Sequence, residues 1–213
     1  MTTGQYPHEL VVLVADKDME LAIKGILGRT QAMGIREPMP VVHVHPERDP
    51  GCLLRGHDFL SLFRNQFAHA LILLDREGCG QERSAREILE AMIEKRLSES
   101  GWGERAAAVV IDPELEMWVW SDSPQVDVVL GWHGRSPDLR SWLKSKNFLQ
   151  EGQAKPERPK EAMELALRTA RKSRSSSLYD QLARQVSLGR CVDPAFIKLK
   201  ITLQTWFPRA GSD

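Results

Sequence analysis

Two carboxylates one residue apart, Asp75 and Glu77, follow the apolar run Ala70-Leu71-Ile72-Leu73-Leu74 and precede Gly78 and Gly80. In an extended chain, residues two apart point to the same side. The pair therefore offers two oxygen ligands together, which suits a hard cation such as Mg²⁺ or Mn²⁺. Two further acidic groupings occupy comparable places. Asp16 and Asp18 follow Leu10-Val11-Val12-Leu13-Val14, and Asp112, Glu114 and Glu116 follow the apolar stretch 106–111. Carboxylates gathered at one point repel one another until one is protonated or a cation joins them. The plainer alternative is that each acid caps the helix after it, where negative charge is favourable. Asp112, just before Pro113, fits that alternative best; Asp75 and Glu77 fit it least, because Gly78 and Gly80 already supply a turn.

For three groupings to meet, the runs before them must be neighbouring strands. Uninterrupted apolar runs read as strands buried on both faces of a parallel sheet. Strands are predicted over 10–14, 39–44, 70–74 and 106–111, and helical spacing over 18–33, 58–67 and 84–98, with Gly34, Gly101 and Gly103 as stops. Strands alternating with helices imply right-handed crossovers and a site at the strands' carboxyl ends. Pro124, Gly131, Gly134 and Pro137 mark a loop-rich stretch, followed by one short helix within 136–148 and a linker over 152–159. Helices are predicted over 160–172 and 177–186, and Asp193-Pro194 opens a last one with an N-cap and a proline in the first turn. The expectation is an α/β fold: a small parallel sheet flanked by helices over residues 1–150, with an appended C-terminal helical segment, 151–213, packed on it.

Composition narrows the function classes. The 213 residues suffice for one good core, and the net charge is zero. That zero conceals an asymmetry: residues 1–150 hold 17 Lys and Arg against 22 Asp and Glu, residues 151–213 hold 12 against 7. The basic segment carries Arg171-Lys172-Ser173-Arg174, side chains suited to phosphate oxygens and so to nucleic acid, or equally to a solvated helix end. Three widely separated cysteines form neither a zinc pair nor a disulfide framework, which points to a cytoplasmic protein with free thiols. No apolar run nears the roughly 20 residues needed to cross a bilayer, and residues 1–9 lack a signal-peptide pattern, so no membrane partner is expected. Neither a phosphate-binding Gly-x-x-x-x-Gly-Lys-Ser/Thr loop nor a Gly-x-Ser-x-Gly elbow is present, which removes the sequence basis for ATP hydrolysis and serine-esterase chemistry. His43 and His45 share one strand face without a third ligand nearby and are expected on an exposed face. Trp118 and Trp120 offer base stacking or, more ordinarily, a buried helix start.

The order of these motifs resembles the Toprim-like proteins of prokaryotes, above all the small stand-alone proteins of anti-phage defence loci. The similarity lies in the strand followed by Asp75-Arg76-Glu77, in Pro113-Glu114-Leu115-Glu116-Met117-Trp118, in Lys172-Ser173-Arg174-Ser175-Ser176-Ser177-Leu178-Tyr179, and in the ending from Asp193-Pro194-Ala195-Phe196 through Leu203 and Trp206. The resemblance implies a Toprim-like fold and Mg²⁺-dependent (or Mn²⁺-dependent) cleavage of phosphodiester bonds. Asp75 and Glu77 would be the metal pair, with Glu116 and Asp16 completing the catalytic acids, and Arg171, Lys172 and Arg174 would position nucleic acid. The chain departs from the pattern after its first strand. Where the family carries a glutamate this sequence has Ala15, and Asp16 comes one position later and one methylene shorter. That departure motivates an alternative: a non-catalytic subunit or sensor that joins other defence-system proteins and binds nucleic acid or protein without turnover. A haloacid-dehalogenase-like phosphatase ranks last, since its Asp-x-Asp would follow the first strand.

Overall fold

Four strands form one parallel sheet in the computed structural model, which describes residues 6–121 and 123–209. They are β1 (His8–Val14), β2 (Pro40–Val44), β3 (Phe67–Asp75) and β4 (Ala106–Ile111), in the order β2-β1-β3-β4. Leu10 through Val14 and Ala70 through Leu74 have no solvent exposure. Both faces of these central strands must therefore be covered, and that is why their sequences run apolar rather than alternating. The protein is α/β, as expected. The beginning of the polar stretch 1–9 and the end of the basic segment, 210–213, lie outside the described residues.

The helices are α1 (Lys17–Leu27), α2 (Thr30–Met33), α3 (Arg48–Ser61), α4 (Arg86–Leu97), α5 (Glu116–Val119), α6 (Pro124–Leu130), α7 (Leu139–Ser145), α8 (Pro159–Ala170), α9 (Ser176–Gln185) and α10 (Pro194–Trp206). Three expectations need correction. The predicted helix 18–33 is two helices, because Gly28 ends α1; Gly34 then closes α2 in the left-handed conformation, at φ 71°. The predicted helix 58–67 begins ten residues earlier, at Arg48, with Pro50 in its first turn, where a missing N–H costs nothing. Its apparent aromatic stripe is a ladder of Phe59, Phe63 and Phe67 with 5.9 and 5.8 Å between centroids, running from the helix end into the first residue of β3. The stretch read as loop-rich contains α6, capped by Ser123 and opened by Pro124.

The chain leaves β1 toward β2 and leaves β3 toward β4, in opposite directions along the sheet. The gap between the carboxyl ends of β1 and β3 is therefore the topological switch point, where such sheets hold their ligands. α3 crosses from β2 to β3 and packs on β1 and β3, with Gly56 over Leu13 and Ile72.

The C-terminal segment shares the core of the sheet domain. α9 lies on α1 so closely that a Cβ at Gly25 would stand 2.8 Å from Ala183 Cβ. α10, capped by Asp193 as expected, packs on β4, and beyond its end Pro208 bridges to Ile35. The outer edge of β4 is closed by α4: Glu94 accepts from the Ala108 N–H and Glu90 from the Val110 N–H, each at 3.0 Å. Edge N–H groups left open invite another strand, and these two carboxylates remove the invitation. Among the described residues no helix is long and apolar enough to cross a membrane.

Candidate functional site

Asp75 ends β3, and its backbone and side chain have different fates. Its N–H donates to Asp49 Oδ1 at 2.8 Å. Its own Oδ1 is buried and takes no hydrogen bond, alone in this among the carboxylate oxygens of the described residues. Buried polar atoms are nearly always paired, so an orphaned carboxylate oxygen calls for a proton or a cation. Burial, and then the charges of Asp49, Glu116, Asp16 and Glu114, push the Asp75 carboxyl well above the ordinary carboxylate range. These four acids reach Asp75 from different elements. Asp16 leaves β1, Asp49 lies in the first turn of α3, and Glu114 and Glu116 follow β4.

Each neighbour is held differently. Asp16 is the N-cap of α1, its Oδ1 accepting from Met19 N at 2.9 Å, as the plainer reading of these acids anticipated. Asp49 is raised by burial and by the charge of Asp16. Glu114 is buried and accepts from Lys160 N at 2.9 Å, with Lys160 Nζ at 3.9 Å; burial and Glu116 raise its carboxyl. Glu116 opens α5 and is buried; Tyr179 donates its hydroxyl at 2.5 Å and Arg174 its guanidinium at 3.3 Å. Burial and that carboxylate raise the Tyr179 phenol, so it remains a donor at every ordinary pH.

The sequence-derived candidates are thus partly gathered and partly dispersed. Asp16, Asp75 and Glu116 come together. Glu77 is exposed beyond the strand end, where its N–H continues the ladder to Pro113 O and its charge acts on Glu114. Arg174 turns inward, pairing with Asp18 at 2.9 Å, Glu116 at 3.3 Å and Glu164 at 2.6 Å, while about a third of its side chain stays exposed. Lys172 donates to Val129 O, and Arg171 ends α8 in the left-handed conformation with its side chain in solvent. Asp112 does not cap a helix: its carboxylate pairs with Arg76 at 2.8 Å, and α5 starts four residues later. His45 is buried rather than exposed, its Nδ1 accepting from Glu47 N, and His43 stacks on Phe63 at 5.1 Å. Trp118 and Trp120 donate to Asp193 and Pro159 O, Trp120 being buried and Trp118 partly so.

Sequence reasoning missed Asp49, Ser176 and Tyr179. Asp49-Pro50 repeats the Asp-Pro helix-start pattern seen at 193–194, a signal that would have placed Asp49 at a strand-to-helix turn. Ser176 donates to Asp18 Oδ1 at 2.5 Å, which ties the serine-rich stretch to the same site.

The donors are carboxylate oxygens, chemically suited to a hard cation. Among the described residues, no three His, Cys, Asp or Glu side chains are already arranged to hold a metal ion. No protein-family model, curated protein or solved structure matches the chain.

Proposed function

We propose that the protein is a Mg²⁺-dependent (or Mn²⁺-dependent) phosphodiester-cleaving protein, Toprim-like in its site and, as the motif order implies, part of prokaryotic anti-phage defence. The observation that carries this reading is the buried, unpartnered Oδ1 of Asp75 at the carboxyl end of β3, beside the sheet's switch point, with the charges of four other carboxyls acting on it. Asp75 would hold the cation from the buried side, and Glu77, exposed beyond the strand end, would have to turn toward it to complete the pair. When bound, it would offset the phosphate charge that grows during cleavage.

The chain's own groups would divide the remaining work. Asp49 and Glu114, both raised by burial, would hold a proton more readily than ordinary carboxylates do. Tyr179 fixes Glu116 through its hydroxyl. The exposed third of Arg174 is positioned to meet a phosphate oxygen beside the acids, and Arg171 and Lys172 extend that basic border toward nucleic acid.

One observation favours binding without turnover in a multiprotein defence complex. Ala15 is buried where the glutamate is expected, and the carboxylate of Asp16 is committed to capping α1. The test is a cleavage assay on DNA and on RNA with Mg²⁺ and with EDTA, paired with calorimetric titration of Mg²⁺. Cleavage that EDTA stops and Asp75→Asn reduces at least about 100-fold supports the enzyme. Mg²⁺ binding without cleavage supports the second reading, and absence of both refutes the site.

A further inference from the structure

A cavity of about 120 Å³ lies between α1, α5, α9 and α10. Ile26, Leu182, Val186 and Phe196 give it aliphatic and aromatic walls, and Phe196 meets Trp118 edge to face at 5.4 Å. The polar atoms of its larger side chains are turned to other partners. Trp118 Nε1 donates to Asp193, Trp120 Nε1 to Pro159 O, Tyr179 its hydroxyl to Glu116, and Lys155 Nζ to Met117 O. These residues meet the cavity with ring and methylene surface, as amphipathic side chains do when their polar tips are engaged. Arg140 is engaged as well, donating to Ala154 O, and Arg190 is exposed. Charges of both signs stand near the cavity, since Arg140 acts on Asp127 and Asp193 accepts from Trp118, so its surroundings are not one-sided.

A water molecule in such a space would want about two to four polar partners, whereas an apolar body gains dispersion contacts on every wall. Engineered cavities of about 150 Å³ with walls of this kind stay dry and admit benzene. We infer that this cavity binds a compact, uncharged apolar molecule, the size of a single aromatic ring or a short branched alkyl group. The inference stands apart from the chemistry of the acid cluster, since none of Asp16, Asp49, Asp75, Glu114 or Glu116 lines the cavity.

The experiment titrates toluene, with phenol as a hydrogen-bonding control of the same shape and benzoate as a charged one. Binding is read by calorimetry and by the indole N–H resonances, assigned through single Trp→Phe variants. Toluene should bind one to one and move the Trp118 and Trp120 signals, leaving Trp206, stacked on His69, in place. Phenol should bind at least about 5-fold more weakly and benzoate at least about 10-fold, because the walls offer their polar groups no partner. Ala22→Leu, which adds three carbons to the α1 wall, should weaken toluene about 10-fold or more. Absence of saturable toluene binding, a shift of Trp206 equal to that of Trp118, or affinity for phenol or benzoate equal to that for toluene would each overturn the inference. So would unchanged affinity in a folded Ala22→Leu protein; the wild-type titrations decide whether or not that variant folds.

Discussion

Glu90 and Asp75 both lie against the β3–β4 half of the sheet, and their surroundings are opposite. Glu90 is buried with Arg86 on both carboxylate oxygens at 2.8 and 2.9 Å, Lys198 at 3.1 Å and the Val110 N–H at 3.0 Å. Asp75 has a buried oxygen with no partner and four acids acting on it. The first carboxylate is satisfied and closes the edge of the sheet. The second is held in an arrangement that the fold alone does not stabilise. Strain of that kind concentrates where proteins bind or react, whereas satisfied charges are structural. Burial without a counter-charge, rather than burial alone, is what singles out Asp75 for the proposed role.

Perturbing each acid should separate the two roles. Glu90→Ala strands Arg86 and the Val110 N–H and should lower the unfolding free energy in urea by about 3 kcal/mol. Mg²⁺ at about 100 times its dissociation constant should raise the stability of the wild type by about 2.7 kcal/mol and that of Asp75→Asn by much less, read as a change in melting temperature. Equal stabilisation of both proteins would remove Asp75 from the site. Without divalent cation, Asp75→Asn should be more stable than the wild type at about pH 8, by an amount on the order of 1 kcal/mol. A raised carboxyl favours the folded state in its neutral form, so its contribution is complete below the ordinary carboxylate range and is lost as the pH rises through its folded value. The advantage of Asp75→Asn should accordingly shrink as the pH is lowered toward about 4; an advantage that grows instead would reverse the assignment. The smallest effect belongs to Asp112→Ala. That partly exposed pair with Arg76 should contribute less than about 1 kcal/mol in the same unfolding assay.

Much of this arrangement could be read from residue types, for reasons particular elements make clear. β1, β3 and β4 announce themselves because strands covered on both faces need uninterrupted apolar runs. The carboxyl-end position of Asp75 follows directly from where the run stops. The approach of Asp49 to Asp75 was not legible, because it comes about only when α3 carries the chain from β2 across β1 to β3. Nor was the orientation of Arg174: a basic, serine-rich stretch looks the same whether it faces solvent or folds back onto Asp18 and Glu116, more than 50 residues away in the chain. Asp16 caps a helix and Asp112 does not, for a reason of available partners. The first has a free α1 N–H three residues on, while the second has Arg76 of the neighbouring strand end within reach.

By itself the sequence determined the class of fold, the apolar centres of its strands and the presence of acids at three strand ends, since these depend on hydrophobic runs and on neighbours along the chain; β1 and β3 begin two and three residues before their predicted starts. Only the tertiary structure decided which acid is left without a partner. Satisfaction is a property of contacts among α1, α3, β3, α5 and α9, and the strand order β2-β1-β3-β4 sets those contacts. A carboxylate's ionisation depends on what surrounds it in space, so Asp75 and Glu90, alike as residues in an apolar context, acquire opposite roles.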